Sequence, residues 1–214
     1  MRKYVIMGVQ GCGKGTQAKR LVEDFGLVHI SVGDIFRWNI QNRTKLGAKV
    51  KRIVSAGQLV PDELVHGLVQ ERLEQHDWGQ GFILDGFPRN AAQAEFFVER
   101  YDVDAVLVIQ VPDEVVLERI VNRRLCSGCG RDFNLKFQPP KTPDTCDDCG
   151  GQLAQRPDDQ PGPIRDRLND YHSQTEPAIE LFRKKKERVV VVDGTQLPDK
   201  VQAFIRAQLG LGAA

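Results

Sequence analysis

The run Gly8-Val9-Gln10-Gly11-Cys12-Gly13-Lys14-Gly15-Thr16 carries residue types that suit phosphate binding. Glycines let a backbone wrap around phosphate oxygens, and successive N–H groups at a helix N-terminus form an anion nest. The run fits the GxxxxGK core of a phosphate-binding loop, with Gly15 inserted before the hydroxyl residue. In that pattern Lys14 reaches the β- and γ-phosphates of a nucleotide and Thr16 supports a magnesium shell. A plain glycine-rich turn would use some of the same residues. However, an apolar run at 3–9 precedes the pattern and an amphipathic run at 13–25 follows it, the strand-to-helix context that phosphate binding requires. Cys12 reads as a small residue suited to a tight loop, with no resolving cysteine near it in the sequence.

A second cluster is made of thiols. Cys126-Ser-Gly-Cys129 and Cys146-Asp-Asp-Cys149 are separated by sixteen residues, the spacing of a tetrahedral zinc site with four thiolate ligands. Gly130 and Gly150 follow the two pairs and allow the turns that bring each pair to one ion. Four protein ligands leave no open position, so the expected zinc is structural. Disulfide pairing conflicts with a reducing compartment. A zinc ribbon for nucleic acid fits poorly, because the intervening stretch has few basic residues and holds Asp147-Asp148.

The third set is cationic. Asp85-Gly86-Phe87-Pro88-Arg89 directly follows an apolar run, and Arg119, Arg123, Arg156 and Arg167 come later, the last two flanking Asp158-Asp159. Any one of these arginines alone would be a surface ion pair. Beside a phosphate loop, the set matches what phosphoryl transfer between two anionic nucleotides needs: cations that neutralise charge spread over equatorial oxygens. Arginine suits this because its planar fork binds phosphate in two places and stays charged. No Asp or His base is required when the attacking group is already a phosphate oxygen.

These residues must be positioned by a scaffold. KYVIMGV at 3–9, GFILDGF at 81–87, AVLVIQV at 105–111 and RVVVVDG at 188–194 are short, nearly continuous apolar runs, with LVHIS at 27–31 a weaker fifth. Such runs suit parallel strands buried on both faces. Amphipathic stretches at 13–25, 61–75, 89–101 and 112–125 alternate with them, two opening on Pro-Asp-Glu, which places proline and acids in a first helical turn. The order predicts an α/β fold, a doubly wound parallel five-stranded sheet with helices on both faces. Residues 31–60 read as a helical insert without a sheet strand. Residues 124–160, rich in Pro, Gly, Asp and Cys, would make a poor loop without an internal staple.

Composition sets outer bounds. The 214 residues suit one domain, or one core with insertions. Thirty Lys+Arg against 29 Asp+Glu, a formal net charge of +1, argue against bulk binding to nucleic acid. With 41% hydrophobic and 28% charged residues, the chain reads as globular. No apolar run approaches a membrane span, and glycines and a lysine interrupt the opening segment too soon for a secretory signal. A soluble, cytoplasmic protein is expected.

Ordered motifs carry a resemblance over nearly the whole chain: GCGKGTQ at 11–17, SVGDIFR at 31–37, AGQLVPDELV at 56–65, LDGFPR at 84–89 with Gln93, and ERIVNRR at 118–124. The four-cysteine segment, QRPDD at 155–159, RDRL at 165–168 and VDGT at 192–195 complete the set. The chain resembles the adenylate kinases, in the bacterial form with a long zinc-bearing lid. That resemblance implies a P-loop core formed by 1–30, 61–122 and 161–214, a monophosphate-binding insert at 31–60 and a zinc-containing lid at 123–160. It implies ATP contacts from Gly11, Cys12, Gly13, Lys14, Gly15, Thr16, Arg119, Arg123, Asp132, Phe133 and Gln196. It places AMP against Val32, Arg37, Gln58, Leu59, Val60, Gly86, Phe87, Pro88, Arg89 and Gln93, with Arg156 and Arg167 joining on lid closure. Lys14, Arg89, Arg123, Arg156 and Arg167 would be catalytic. Cys126, Cys129, Cys146 and Cys149 would bind zinc, and Asp85 would order Mg2+ through water. Relatives of this shape are usually monomers.

The implied reaction is reversible transfer from Mg-ATP to AMP, giving two ADP. Another monophosphate acceptor (UMP, CMP or GMP) on the same fold is the alternative. Gln93 favours adenine, because an amide can donate to and accept from a purine edge. Val32 stands where the family usually has Thr or Ser, so a hydroxyl near the base is missing. Gln10 replaces the usual loop proline and is expected to loosen that turn. Pro161-Gly162-Pro163 replaces an acidic-threonine stretch near the lid hinge and is expected to alter the approach of Arg165 and Arg167. Gln196 stands where several relatives have Lys. A nucleic-acid module and a catalytically silent scaffold are the remaining readings. The balanced charge argues against the first, and the presence of all five catalytic cations argues against the second.

Overall fold

The computed structural model describes residues 1–77, 79–156 and 158–212. Pro157 of the QRPDD motif and the last two residues of the expected core segment lie outside the described residues. Five parallel strands form the main sheet: β1 (Arg2–Met7), β2 (Val28–Ser31), β3 (Gly81–Asp85), β4 (Ala105–Gln110) and, far along the chain, β8 (Val189–Asp193). Their spatial order is β2-β3-β1-β4-β8, with β1 central. Side chains alternate across the sheet. Val5, Met7, Val106 and Val108 enter one apolar layer, and Tyr4, Ile6, Leu107 and Ile109 enter the other. Both faces are covered, which explains why the strands read as unbroken apolar runs.

Helices α1 (Lys14–Phe25), α2 (Val32–Gln41), α3 (Lys45–Ser55), α4 (Asp62–Gln75), α5 (Ala91–Val98) and α6 (Asp113–Val121) follow the first four strands. Pro61 and Pro112 are the N-caps of α4 and α6, so only the acids that follow them occupy the first turn. The strands end earlier than their apolar runs. Gly8 and Gly86 leave the sheet with φ of 142° and 78°, values glycine alone adopts readily, and the residues after them turn into the site.

One expected helix is shorter than its pattern. The amphipathic run 112–125 leaves helix at Asn122, and Arg123–Cys126 becomes β5 of a second sheet. There β5 pairs antiparallel with β6 (Asp132–Asn134) and β7 (Leu153–Ala154). Tertiary pairing overrides helix propensity in those four residues. The chain returns through α7 (Pro161–Asp170), a π-helical turn at Tyr171–Thr175 and α8 (Glu176–Lys184), and α9 (Pro198–Leu209) follows β8. No helix among the described residues is long and apolar enough to cross a membrane.

Candidate active site

The chain reverses direction about β1, and β1 ends in the glycine-rich loop. A crevice at the carboxyl ends of parallel strands, at such a switch point, is where open α/β sheets take ligands. A cleft of 810 Å³ lies there, between α2–α3, the loop after β1 and the small antiparallel sheet. Gly13, with φ of 102°, is the N-cap of α1 and directs the loop's backbone toward the helix start. Gly11, Cys12, Gly13, Lys14, Gly15 and Thr16 line the cleft at this end. Lys14 Nζ donates to the Val9 carbonyl at 2.9 Å. The Cys12 thiol is buried, and burial raises its pKa, so it is a poor nucleophile.

Cations enter from three segments. Arg119 on α6 bridges the loop to the end of β8, donating to Cys12 O at 3.3 Å and Gly194 O at 2.8 Å. Arg123, from β5, makes a two-pronged pair with Asp159, 2.8 Å from Nε to Oδ2. Arg156 donates to Asp132 Oδ1 at 2.9 Å, while its buried Nε has no partner among the described residues. Arg167, on α7, pairs with Asp158 at 2.5 Å and reaches the Gly57 and Val54 carbonyls at 3.4 Å. Arg89 donates from Nε to Gly86 O at 2.9 Å, and no carboxylate among the described residues lies within ion-pairing distance of it. Burial, and then repulsion from Arg167, lower its pKa to about 10. Burial, then Arg123 and Arg37, lower that of Arg156. These guanidiniums stay charged but repel one another, so an anion placed among them is strongly favoured.

The wall opposite the glycine-rich loop is built by α2, α3 and the loops around them. Val32, Arg37, Gln58, Leu59, Val60, Gly86, Phe87, Pro88, Arg89 and Gln93 all line the cleft, as do Asp85, Asp132, Phe133 and Gln196. Ser31 caps α2, accepting from the Asp34 N–H, and Arg37 pairs with Asp34 one turn on. Burial alone would raise the Asp34 pKa, but Arg37 outweighs it and holds the carboxyl at about 2. Val32 is buried in the apolar layer beneath the cleft.

Two site residues behave differently from expectation. Gln93 lines the cleft, but it is only 2% exposed, and its amide is already engaged. It donates to Asp62 at 2.7 Å and accepts from the Arg89 N–H at 2.8 Å, so it braces the arginine loop. Gln10, expected to loosen its turn, is tied at both ends of its amide, to Asp159 and to Arg167. Arg165 is exposed and apart from the cleft lining, whereas Arg167 lies within it.

Sequence reasoning passed over Thr175, Phe137, Lys19 and Asp34, which also line the cleft. Thr175 sits in the π-helical turn and donates to the Arg89 carbonyl at 2.8 Å. Such turns gather at functional sites, but no sequence signal marks this one. Phe137, 56% exposed, was readable as an apolar residue with no core to enter.

The four cysteines stand apart from the cleft. Their sulfurs lie within 4.8 Å of one another, with Cys126–Cys149 at 3.4 Å and Cys129–Cys146 at 3.6 Å. Four thiolates at ~2.3 Å from one tetrahedral ion would sit about 3.8 Å apart, so the geometry is compatible with zinc. Amide donation from Cys129 and then Gly128 lowers the Cys126 pKa to about 6. Cys129 is raised to about 12 despite a backbone bond involving Arg131, because the thiols of Cys149 and Cys146 crowd it. Four crowded thiols cannot all ionise without a cation among them.

A doubly wound α/β core with a glycine-rich phosphate loop and a ring of converging arginines defines a nucleotide phosphotransferase. Comparison with known proteins narrows the class. The adenylate kinase family model matches residues 6–187. Over 210 residues, 96% of this chain and 98% of the relative, the sequence is 45% identical to an adenylate kinase of Caldicellulosiruptor saccharolyticus. It is 45% identical over 213 residues to one of Clostridium perfringens, covering 97% of this chain and 98% of that protein. One from Clostridium kluyveri is 44% identical over 216 residues, covering 99% and 98%. The chain belongs to the adenylate kinase family.

Proposed function

We propose that this protein transfers the terminal phosphoryl group of Mg-ATP reversibly to AMP, giving two ADP. The observation that carries the reading is the convergence of Arg89, Arg123, Arg156 and Arg167 with Lys14 on one cleft. ATP lies with its phosphates along Gly11–Thr16 and its base toward Arg119, Asp132, Phe133 and the Gln196 backbone. AMP lies against Arg37, Val32, the Gln58–Val60 stretch and the Gly86–Arg89 loop, whose position Gln93 braces.

An oxygen of the AMP phosphate attacks the γ-phosphorus, the bond to the β–γ bridging oxygen breaks, and ADP leaves. The guanidiniums neutralise charge that builds on the equatorial oxygens, so no general base is needed. Lys14 turns from the Val9 carbonyl to the β- and γ-phosphates. Asp85, a buried carboxylate at the end of β3, and the Thr16 hydroxyl offer the oxygen donors that magnesium takes, Asp85 through water. Bound there, the ion supplies charge neutralisation between phosphates. Residues 123–160 serve as a lid over the cleft and residues 31–60 as a clamp on AMP, both set on a core of 1–30, 61–122 and 161–214. Zinc held by the four cysteines stiffens the lid without touching substrate. Thiol ligands suit a reducing cytoplasm, where the protein handles small nucleotides as a monomer.

ADP formation from Mg-ATP, measured across AMP, GMP, CMP and UMP, tests the reading. Activity confined to AMP is expected. Preferred turnover of a pyrimidine monophosphate would overturn the acceptor assignment, and silence with every acceptor would overturn the reaction.

A further inference from the structure

Gln10 joins three parts of the molecule. It precedes the first phosphate-facing glycine of the loop after β1, and its side chain reaches across to segments that meet the loop only in the fold. Its Nε2 donates to Asp159 Oδ1 at 2.9 Å, and its Oε1 accepts from the guanidinium of Arg167. The amide has one possible orientation, because arginine only donates and an ionised carboxylate only accepts. Asp159 in turn holds Arg123 by two bonds, and the Arg167 nitrogen that meets Gln10 also donates to Asp158, while its other two nitrogens donate to the Gly57 and Val54 carbonyls. One neutral side chain on the phosphate loop therefore supports arginines from two other segments.

Charge explains why an amide suits the position. A carboxylate there would add a second ion pair to Arg167, which Asp158 already holds, and so deepen the competition with phosphate. It would also repel Asp159. A cation would repel Arg167, and an apolar residue would take one hydrogen bond from each group, leaving Arg167 to Asp158 and Asp159 to Arg123. An amide holds the guanidinium by a weaker bond, which phosphate displaces readily.

We propose that Gln10 is a positioning residue for phosphoryl transfer, aiming Arg167 at the phosphate loop and, through Asp159, fixing Arg123. The proposal rests on the phosphotransferase reading above and assigns a role to a residue outside the glycine–lysine pattern.

The test uses the full chain carrying Gln10→Ala and, separately, Gln10→Pro. Hydrogen exchange in the nucleotide-free protein should rise roughly three- to tenfold over residues 153–160, with β1 and β4 unchanged. Turnover of ATP plus AMP should fall by a similar factor while KM for AMP moves less than about twofold. In an Arg167→Lys background the further loss from Gln10→Ala should shrink, because one of the two partners through which Gln10 acts is already displaced and only the route through Asp159 and Arg123 is left. Unchanged exchange in both variants overturns the tie. An equal loss of turnover in both backgrounds overturns action through Arg167. Failure of the unaltered protein to make ADP would count against the functional reading, and the exchange comparison would still decide for or against the Gln10 contact.

Discussion

The two inserts that flank the cleft are held in opposite ways. Helices α2 and α3 and the loop after them place Val32, Phe36, Val50 and Val60 in the same apolar layer as Val5, Leu84 and Phe97, so the helical insert shares the core of the sheet. The cysteine-bearing insert reaches no such layer. Its own cluster is Cys126, Phe133, Cys146 and Leu153, two of them proposed metal ligands. Four buried apolar side chains contribute far less than ordering nearly forty residues costs, so a local cross-link must supply the difference. A segment laid on an existing core inherits stability, whereas one standing off it needs a staple. Their arginines differ more narrowly: each pairs with a carboxylate, Arg37 with Asp34 and Arg156 with Asp132, but Arg156 also keeps a buried Nε that has no partner among the described residues.

The largest expected effect separates those two arginines. Arg156→Ala should lower kcat roughly 10²- to 10³-fold, the range for removing one donor to transition-state charge. Its melting temperature should stay within about 3 °C, because burial and the neighbouring guanidiniums already disfavour its charge. Arg37→Ala should instead raise KM for AMP with a smaller change in kcat, the mark of lost ground-state binding. Kinetics and melting curves on both variants decide this, and equal kcat losses would break the distinction.

Next in size is the staple itself. Cys146→Ser, or removal of metal by a strong chelator, should expose residues 123–160 to proteolysis and fast hydrogen exchange while the sheet stays protected. Metal content and limited proteolysis followed by mass spectrometry report it. Intact protection at 123–160 after complete metal loss would show that the small cluster suffices. On the other insert, Val50→Ala should cost about 2 kcal/mol in urea unfolding, because a fully buried methyl pair is lost from a continuous core. That loss should appear in the global transition, and confinement of it to residues 31–60 would separate the helical insert from the sheet.

The comparison also accounts for what the sequence disclosed. The sheet was readable because parallel strands buried on both faces leave unbroken apolar runs, and the thiol staple because ligand spacing is local. The glycine-rich end of the cleft was readable for the same reason, since the glycines, lysine and threonine that line it stand within nine consecutive residues. The end of α6 was not readable, because the strand pairing of Arg123–Cys126 depends on partners at 132–134 and 153–154. The engagement of Gln93 depends on Asp62, thirty-one residues away, and that of Gln10 on Asp159, 149 residues away. Which hydrogen bonds an amide makes is decided by tertiary neighbours, and neither residue type nor motif position records them.

The smallest expected effect concerns charge on the helical insert. Asp34 titrates at about 2 in the folded chain because Arg37 outweighs the burial that would raise it. A carboxyl whose folded pKa is depressed contributes stability above its unfolded value of ~3.9, and loses it as pH falls toward the folded value. The contribution should therefore be complete at pH 5 and above, and should fade between about pH 4 and 2. With the carboxylate side chain 52% exposed, solvent screening leaves it below about 1 kcal/mol. Asp158 is lowered in the same direction, Arg167 outweighing its burial, so the unaltered protein loses stability from both groups on acidification. Subtraction isolates one of them. Urea unfolding of the protein and of Asp34→Asn at pH 5, 4 and 3 should show a small gap that narrows as pH falls. A gap that stays constant with pH would mean that the Asp34 side chain acts without its charge, since Asn keeps the backbone bond to Ser31, and that its charge on Arg37 adds nothing to the hold of this insert.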